Sequence, residues 1–167
     1  MRVGATRGAT EGATEEAAGA GGKPYRVLAV DDQLPVLQLL MLWIENDVRL
    51  QLAGIATDGH AAIRLVGQEC PDAIICDVKM PGLGGLEALP ALREACPDAV
   101  IMMHTSAPDL ACTAQERGAD TVVDKTADPS ELLDHLVVLC RNRRQTPSTV
   151  RHTDESQVRT DADRAGE

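Results

Sequence analysis

The chain of 167 residues carries 26 acidic against 16 basic side chains, a formal net charge of −10, and its aromatic residues are only Tyr25 and Trp43. That balance excludes the basic footprint needed for sequence-independent binding to nucleic acid or an anionic membrane, and no run is long or apolar enough to span a bilayer. The length fits one domain of ordinary size with residues to spare.

The opening stretch, "MRVGATRGATEGATEEAAGAGG", repeats Gly-Ala-Thr from Gly4, Gly8 and Gly12. From Ala5 to Pro24 no bulky apolar residue offsets the ordering entropy, so residues 1–23 are expected to form a disordered tail. It also lacks the apolar centre of a secretory signal, which points to the cytoplasm. The polar end of the chain, 144–167, reads as a second tail, leaving 24–143 as one domain.

Within that domain apolar runs and helical patterns alternate. "YRVLAV" (25–30) reads as a strand, and the following stretch, 34–46, has helical periodicity that puts Leu37, Leu40, Met41 and Ile44 on one face. Strand 50–56 precedes a helix over 58–69 that Asp58 can cap. Strand 72–77 precedes a helix over 86–96 in which Pro90 removes a donor and predicts a kink. Strand 98–104 leads to a helix over 108–118 ended by Gly118. Strand 120–124 leads to a last helix over 128–143, with Asp128 as cap and Pro129 at the first position. Short strands that are apolar throughout predict a parallel sheet buried on both faces, a doubly wound α/β fold of five strands flanked by five helices.

The five cysteines are odd in number and contain no C-x-x-C pair, so they are expected to be small apolar residues in a reducing compartment, with no metal and no disulfide. His104 should point away from its neighbour Thr105 and pack in the core. His60, His135 and His152 read as solvated, and "RNRR" (141–144) as a complement to the last helix dipole.

In open α/β sheets the ligand site lies beyond the carboxyl ends of the strands. The first strand delivers Asp31 and Asp32 there, the third Asp77, the fourth Thr105 and the fifth Lys125. Capping of the first helix by Asp31 and Asp32 would leave the other three strand ends unexplained. Three neighbouring carboxylates repel one another, and a hard divalent cation such as Mg²⁺ removes that conflict. The remaining carboxylate suits acyl-phosphate formation, with a lysine charge and a threonine hydroxyl for the phosphoryl oxygens.

This ordered set, D-D, then "DVKMPGLGG", then Thr105 and Lys125, resembles the receiver domain of two-component response regulators over about residues 24 to 142. The resemblance implies a flavodoxin-like sheet in the order 2-1-3-4-5, with Asp77 as phosphoacceptor. It further implies Mg²⁺, with Mn²⁺ as a substitute, held by Asp32, Asp77 and the backbone carbonyl of Lys79, and by Asp31 through water. Lys125 would contact the phosphoryl group and Thr105 would move toward it. The implied donor is a sensor histidine kinase or a histidine phosphotransfer protein. The implied output is a protein target docking on about residues 108–139, with no direct contact to nucleic acid or membrane. The polar stretch after Cys140 lacks the helices of a DNA-reading module, so a stand-alone receiver is expected.

Val122 stands where the family often has an aromatic, which puts its usual rotamer switch in doubt and leaves a second reading, a phosphorylation-independent binding module. A phosphohydrolase using an aspartyl phosphate would want an acid two residues after Asp77, where this chain has Lys79.

Overall fold

The computed structural model describes residues 22–146; most of both expected tails, and His152, lie outside that range. Five strands, β1 (Tyr25–Val30), β2 (Leu50–Ala56), β3 (Ala73–Cys76), β4 (Val100–Thr105) and β5 (Thr121–Asp124), alternate with five helices. These are α1 (Leu34–Glu45), α2 (Gly59–Val66), α3 (Gly85–Ala95), α4 (Ala111–Glu116) and α5 (Pro129–Gln145). All neighbouring strands are parallel, in the order β2-β1-β3-β4-β5, so the expected doubly wound sheet is present.

Alternation along the central strands sorts the core into two layers. Leu28, Val30, Ile74, Cys76, Ile101 and Met103 face α2, α3 and α4. Val27, Ala29, Ile75, Val100 and Met102 face α1 and α5. Each fully buried side chain of this size contributes roughly 1.5–3 kcal/mol by leaving water. Burial on both faces holds for β3 and β4 at every position. The edge strands depart from it: β2 exposes Gln51, Ala53 and Ile55, and β5 is half-buried throughout, because an edge strand has a neighbour on one side only.

Asp58 caps α2 through the Ala61 N–H, and Asp128 caps α5 through the Ser130 N–H, both at 2.8 Å. A single 3-10 turn, Pro108–Leu110, precedes α4, which closes near Gly118 at φ +110°, a conformation glycine adopts without strain. Pro90 sits inside α3, and the helix continues through it. The Leu86 carbonyl, which residue 90 would normally serve, instead accepts the Arg117 guanidinium at 3.2 Å.

One expectation is extended, since Arg143 and Arg144 do stand in the last turn of α5, and one is corrected. Arg143 and Arg144 do not merely face a helix dipole. Arg143 pairs with Asp120, while Arg144 pairs with Asp72 and lies over the Tyr25 ring, 3.9 Å from its centroid. The cysteines are not all free: Cys70 and Cys96 form a disulfide. Their sequence separation of 26 hides the parallel pairing of β3 and β4, which draws the two strand lead-ins together. Cys76 and Cys140 are buried free thiols and Cys112 is an exposed one. Among the described residues no helix is long and apolar enough to cross a membrane.

Candidate functional site

The residues just past the strands are held by the ladder itself. The Asp31 N–H donates to Ala56 O (3.1 Å), the Asp77 N–H to Val30 O (2.8 Å) and the Lys125 N–H to Thr105 O (3.1 Å). Asp31, Asp77 and Lys125 therefore each stand one step beyond a strand with the backbone still anchored to the neighbouring one. After Asp77 the chain is pinned by the buried side chains of Val78 and Met80, with Lys79 exposed between them.

One carboxylate oxygen from each of Asp31, Asp32 and Asp77 falls within 4.8 Å of the others. The Lys125 ammonium bridges two of them, 2.6 Å from Asp31 Oδ2 and 3.0 Å from Asp77 Oδ2. Asp31 Oδ1 accepts the Gln33 N–H at 2.9 Å, and α1 begins without a side-chain cap. Capping of α1 thus does not account for the acid pair. Asp32 Oδ1 is inaccessible to solvent and has no hydrogen-bond partner among the described residues. Buried carboxylate oxygens need a proton, a donor or a metal, so this donor set fits a hard divalent cation.

Thr105, at the end of β4, is buried and its Oγ1 accepts the Ala107 N–H at 3.1 Å. A hydroxyl that accepts in this way keeps its own proton to donate. Asp31, Asp32, Asp77 and Lys125 are thus brought together, and Thr105 is hydrogen-bonded to the backbone of Lys125 on the same edge. His104 precedes Thr105 in β4 and is buried. Its burial, followed by the positive charge of Lys125, lowers its pKa, and its Nδ1 has no hydrogen-bond partner among the described residues. Val122 is half-buried against the core layer that includes α4, so no ring stands beside Thr105 from that position.

Sequence reasoning passed over Gly85. A Cβ there would overlap the Asp77 carbonyl and press on Cys76 Sγ, so α3 can approach the Asp77 backbone only through a glycine. The consecutive glycines of "PGLGG" were the available signal.

The Asp77 carboxyl is held above its ordinary pKa. Burial raises it most, the Lys125 hydrogen bond and charge pull it back, Asp31 repels it, and the Lys79 N–H lowers it. Between the ordinary and the raised value the native state keeps a proton that the unfolded chain has released, so this group makes stability fall as pH rises through that window. Asp47, Asp124 and Asp128, whose pKa values are lowered, act with the opposite sign. The difference in melting temperature between wild type and Asp77→Asn, followed against pH in metal-free buffer, is expected to change across the carboxylate range. A constant difference would mean that Asp77 does not titrate abnormally.

The family profile of the response regulator receiver domain matches residues 27–137. The protein-glutamate methylesterase/protein-glutamine glutaminase of Maricaulis maris is 38% identical over 98 residues, 59% of this chain and 23% of that protein. The chain therefore spans less than a quarter of that relative. A LuxR-family two-component response regulator of Aurantimonas sp. matches with a TM-score of 0.65 and 31% identity, over 72% of this chain and 87% of that one. The response regulator domain of Thermotoga maritima CheB matches with a TM-score of 0.67 and 26% identity, over 71% and 97% respectively. With the profile spanning β1 to α5 and the sheet order in agreement, the chain belongs to the response regulator receiver domain family.

Proposed function

We propose that this domain, in the cytoplasm, accepts a phosphoryl group on Asp77 from a phosphohistidine of a sensor kinase or phosphotransfer protein. The observation that carries the reading is the Lys125 ammonium, poised between Asp31 and Asp77 inside a cluster of three carboxylates. An Asp77 oxygen attacks phosphorus, the phosphorus–nitrogen bond of the donor breaks, and the imidazole leaves. Lys125 then holds a phosphoryl oxygen, and Thr105 turns its free proton to another. Water later releases phosphate, so the domain catalyses both its own loading and its own reset, chiefly by positioning.

Asp31, Asp32, Asp77 and the Lys79 carbonyl would hold Mg²⁺ or Mn²⁺, which when bound offsets the negative charge shared by the carboxylates and the phosphoryl oxygens. Leu34, 62% exposed at the start of α1, with Leu39 and Leu42 also exposed, supports docking of the donor beside the acceptor site. The proposed output surface is α4, β5 and α5, whose interaction with a protein target changes on phosphorylation. Val122 favours a second reading, an unphosphorylated binding module, since no ring is available there to relay the change.

Incubation with Mg²⁺ and acetyl phosphate, followed by intact mass and peptide mapping, separates these readings. One phosphoryl adduct on the Asp77 peptide is the expected result. Free phosphate produced without an adduct would replace the receiver by a phosphohydrolase, and no reaction at all would leave the binding module.

A further inference from the structure

The segments leading into β3 and β4 carry the same four residues, Cys-Pro-Asp-Ala, at 70–73 and 96–99. The two strands are parallel neighbours with Ala73 opposite Val100, so the duplicated lead-ins run side by side at the edge of the sheet opposite Asp77. Cys70 and Cys96 stand 5.7 Å apart between Cα atoms and are bonded through sulfur. Neither takes part in the proposed phosphoryl chemistry.

The bond joins the two helices that frame the acceptor loop. Cys70 lies just beyond α2, and Cys96 is the residue that ends α3. At their other ends the Gly59 N–H of α2 donates to the Leu83 carbonyl in the loop before α3, at 2.9 Å. The pair is thus fastened twice, by a hydrogen bond near Asp77 and by a covalent bond at the far end.

The two sulfurs are not equivalent. Cys70 is exposed, whereas Cys96 is 1% exposed. A surface cavity of about 240 Å³ opens beside the bond, with Arg143 and Arg144 in its lining. The other cysteines differ: burial raises the Cys76 thiol pKa and pushes that of Cys140 up to about 12, which keeps both protonated, and Cys112 is exposed without a sulfur partner.

We propose that Cys70–Cys96 is a thiol–disulfide exchange site at which a small thiol of the glutathione class attacks Cys70, unfastening the far ends of α2 and α3. The thiolate forms a mixed disulfide with Cys70 Sγ as the Cys70–Cys96 bond breaks, and Cys96 leaves as a thiolate that takes a proton from water. A second thiolate attacks the sulfur of the attached thiol, giving its oxidised dimer and the Cys70 thiolate, which is protonated in turn. Two electrons pass from the two small thiols to the protein disulfide, and the oxidised dimer drives the reverse reaction. The ratio of the two small-molecule forms sets which state of the clasp prevails.

The test uses the full chain carrying Cys112→Ser, equilibrated with graded ratios of reduced and oxidised glutathione, quenched in acid and alkylated after denaturation. Two alkylated thiols under oxidising conditions and four under reducing ones are expected. The mixed disulfide should form on Cys70 in an added Cys96→Ser variant at least about ten times faster than on Cys96 in a Cys70→Ser variant. Opening the 26-residue closure should lower the melting temperature by roughly 10 °C and raise deuterium uptake over 59–70 and 85–97. Four alkylated thiols under every condition, or equal rates at the two sulfurs, would overturn the proposal. The thiol count needs neither of these last two substitutions, so it decides even if those variants fail to fold.

Discussion

Asp77→Asn is expected to abolish labelling by acetyl phosphate, a fall on the order of a thousand-fold or more, while melting at a higher temperature than wild type in metal-free buffer. Both effects have one origin. The proposed nucleophile is a carboxylate buried beside Asp31, and burial is the largest cause of its raised pKa. An amide of the same shape keeps the packing but relieves the desolvation and the repulsion, and Lys125 retains Asp31 at 2.6 Å. Lys125→Met should move stability the other way, because it leaves two buried acids without their cation. Lys125 itself illustrates the balance: burial lowers its pKa, but hydrogen bonds and charge from Asp31 and Asp77 together raise it. Intact mass and thermal melting of the three proteins check the pattern. An Asp77→Asn variant that labels normally, or that melts below wild type, would mean that the acceptor or the charge balance has been misassigned.

Gly85→Ala should be among the most damaging single-methyl additions to this domain, costing about 3 kcal/mol or more. The added carbon meets the Asp77 carbonyl, a backbone atom pinned between β3 and the buried Val78 side chain, and neither neighbour can swing aside. Relief requires α3 to back away from the loop, which would move Asp77 as well. The melting temperature is therefore expected to drop by roughly 10 °C or more, and labelling should fall with it. Gly54→Ala is the control, because its nearest neighbour atom would be Leu28 Cδ1 at an ordinary 3.6 Å. Equal stability of the two variants would show that α3 has slack the structure does not display.

The sheet and its carboxyl edge were legible because two simple signals coincide there. Apolar runs such as "IIC" and "VIMM" have to be interior strands, and an acid or a lysine directly after such a run has nowhere to go but the edge. Asp31, Asp32, Asp77 and Lys125 were found in that way. What escaped depended on which strands become neighbours. The Cys70–Cys96 bond, the Arg144–Asp72 pair and the Arg117 contact with Leu86 join residues 26, 72 and 31 positions apart. None leaves a periodic trace. The repeated Cys-Pro-Asp-Ala is a duplication without a period, and it bears on the first contact only once β3 and β4 are known to run in parallel. The exposed residues of β2 escaped for a related reason: an edge strand and a central one read much alike until the order of the sheet is known.

Pro90 and Arg117 form a further dependence. The proline leaves a carbonyl of α3 without its usual donor, and a guanidinium from the end of α4 supplies one. Each residue thus makes sense only in the company of the other. Were the imino acid exchanged for alanine, the helix would satisfy its own carbonyl and release the arginine from that duty; were the arginine lost first, an unsatisfied oxygen would remain. The order of the two replacements therefore matters: one order passes through a chain with an unsatisfied carbonyl and the other does not. A change outside the proposed phosphoacceptor residues could in this way loosen the hold of α3 on α4 without altering any of those residues.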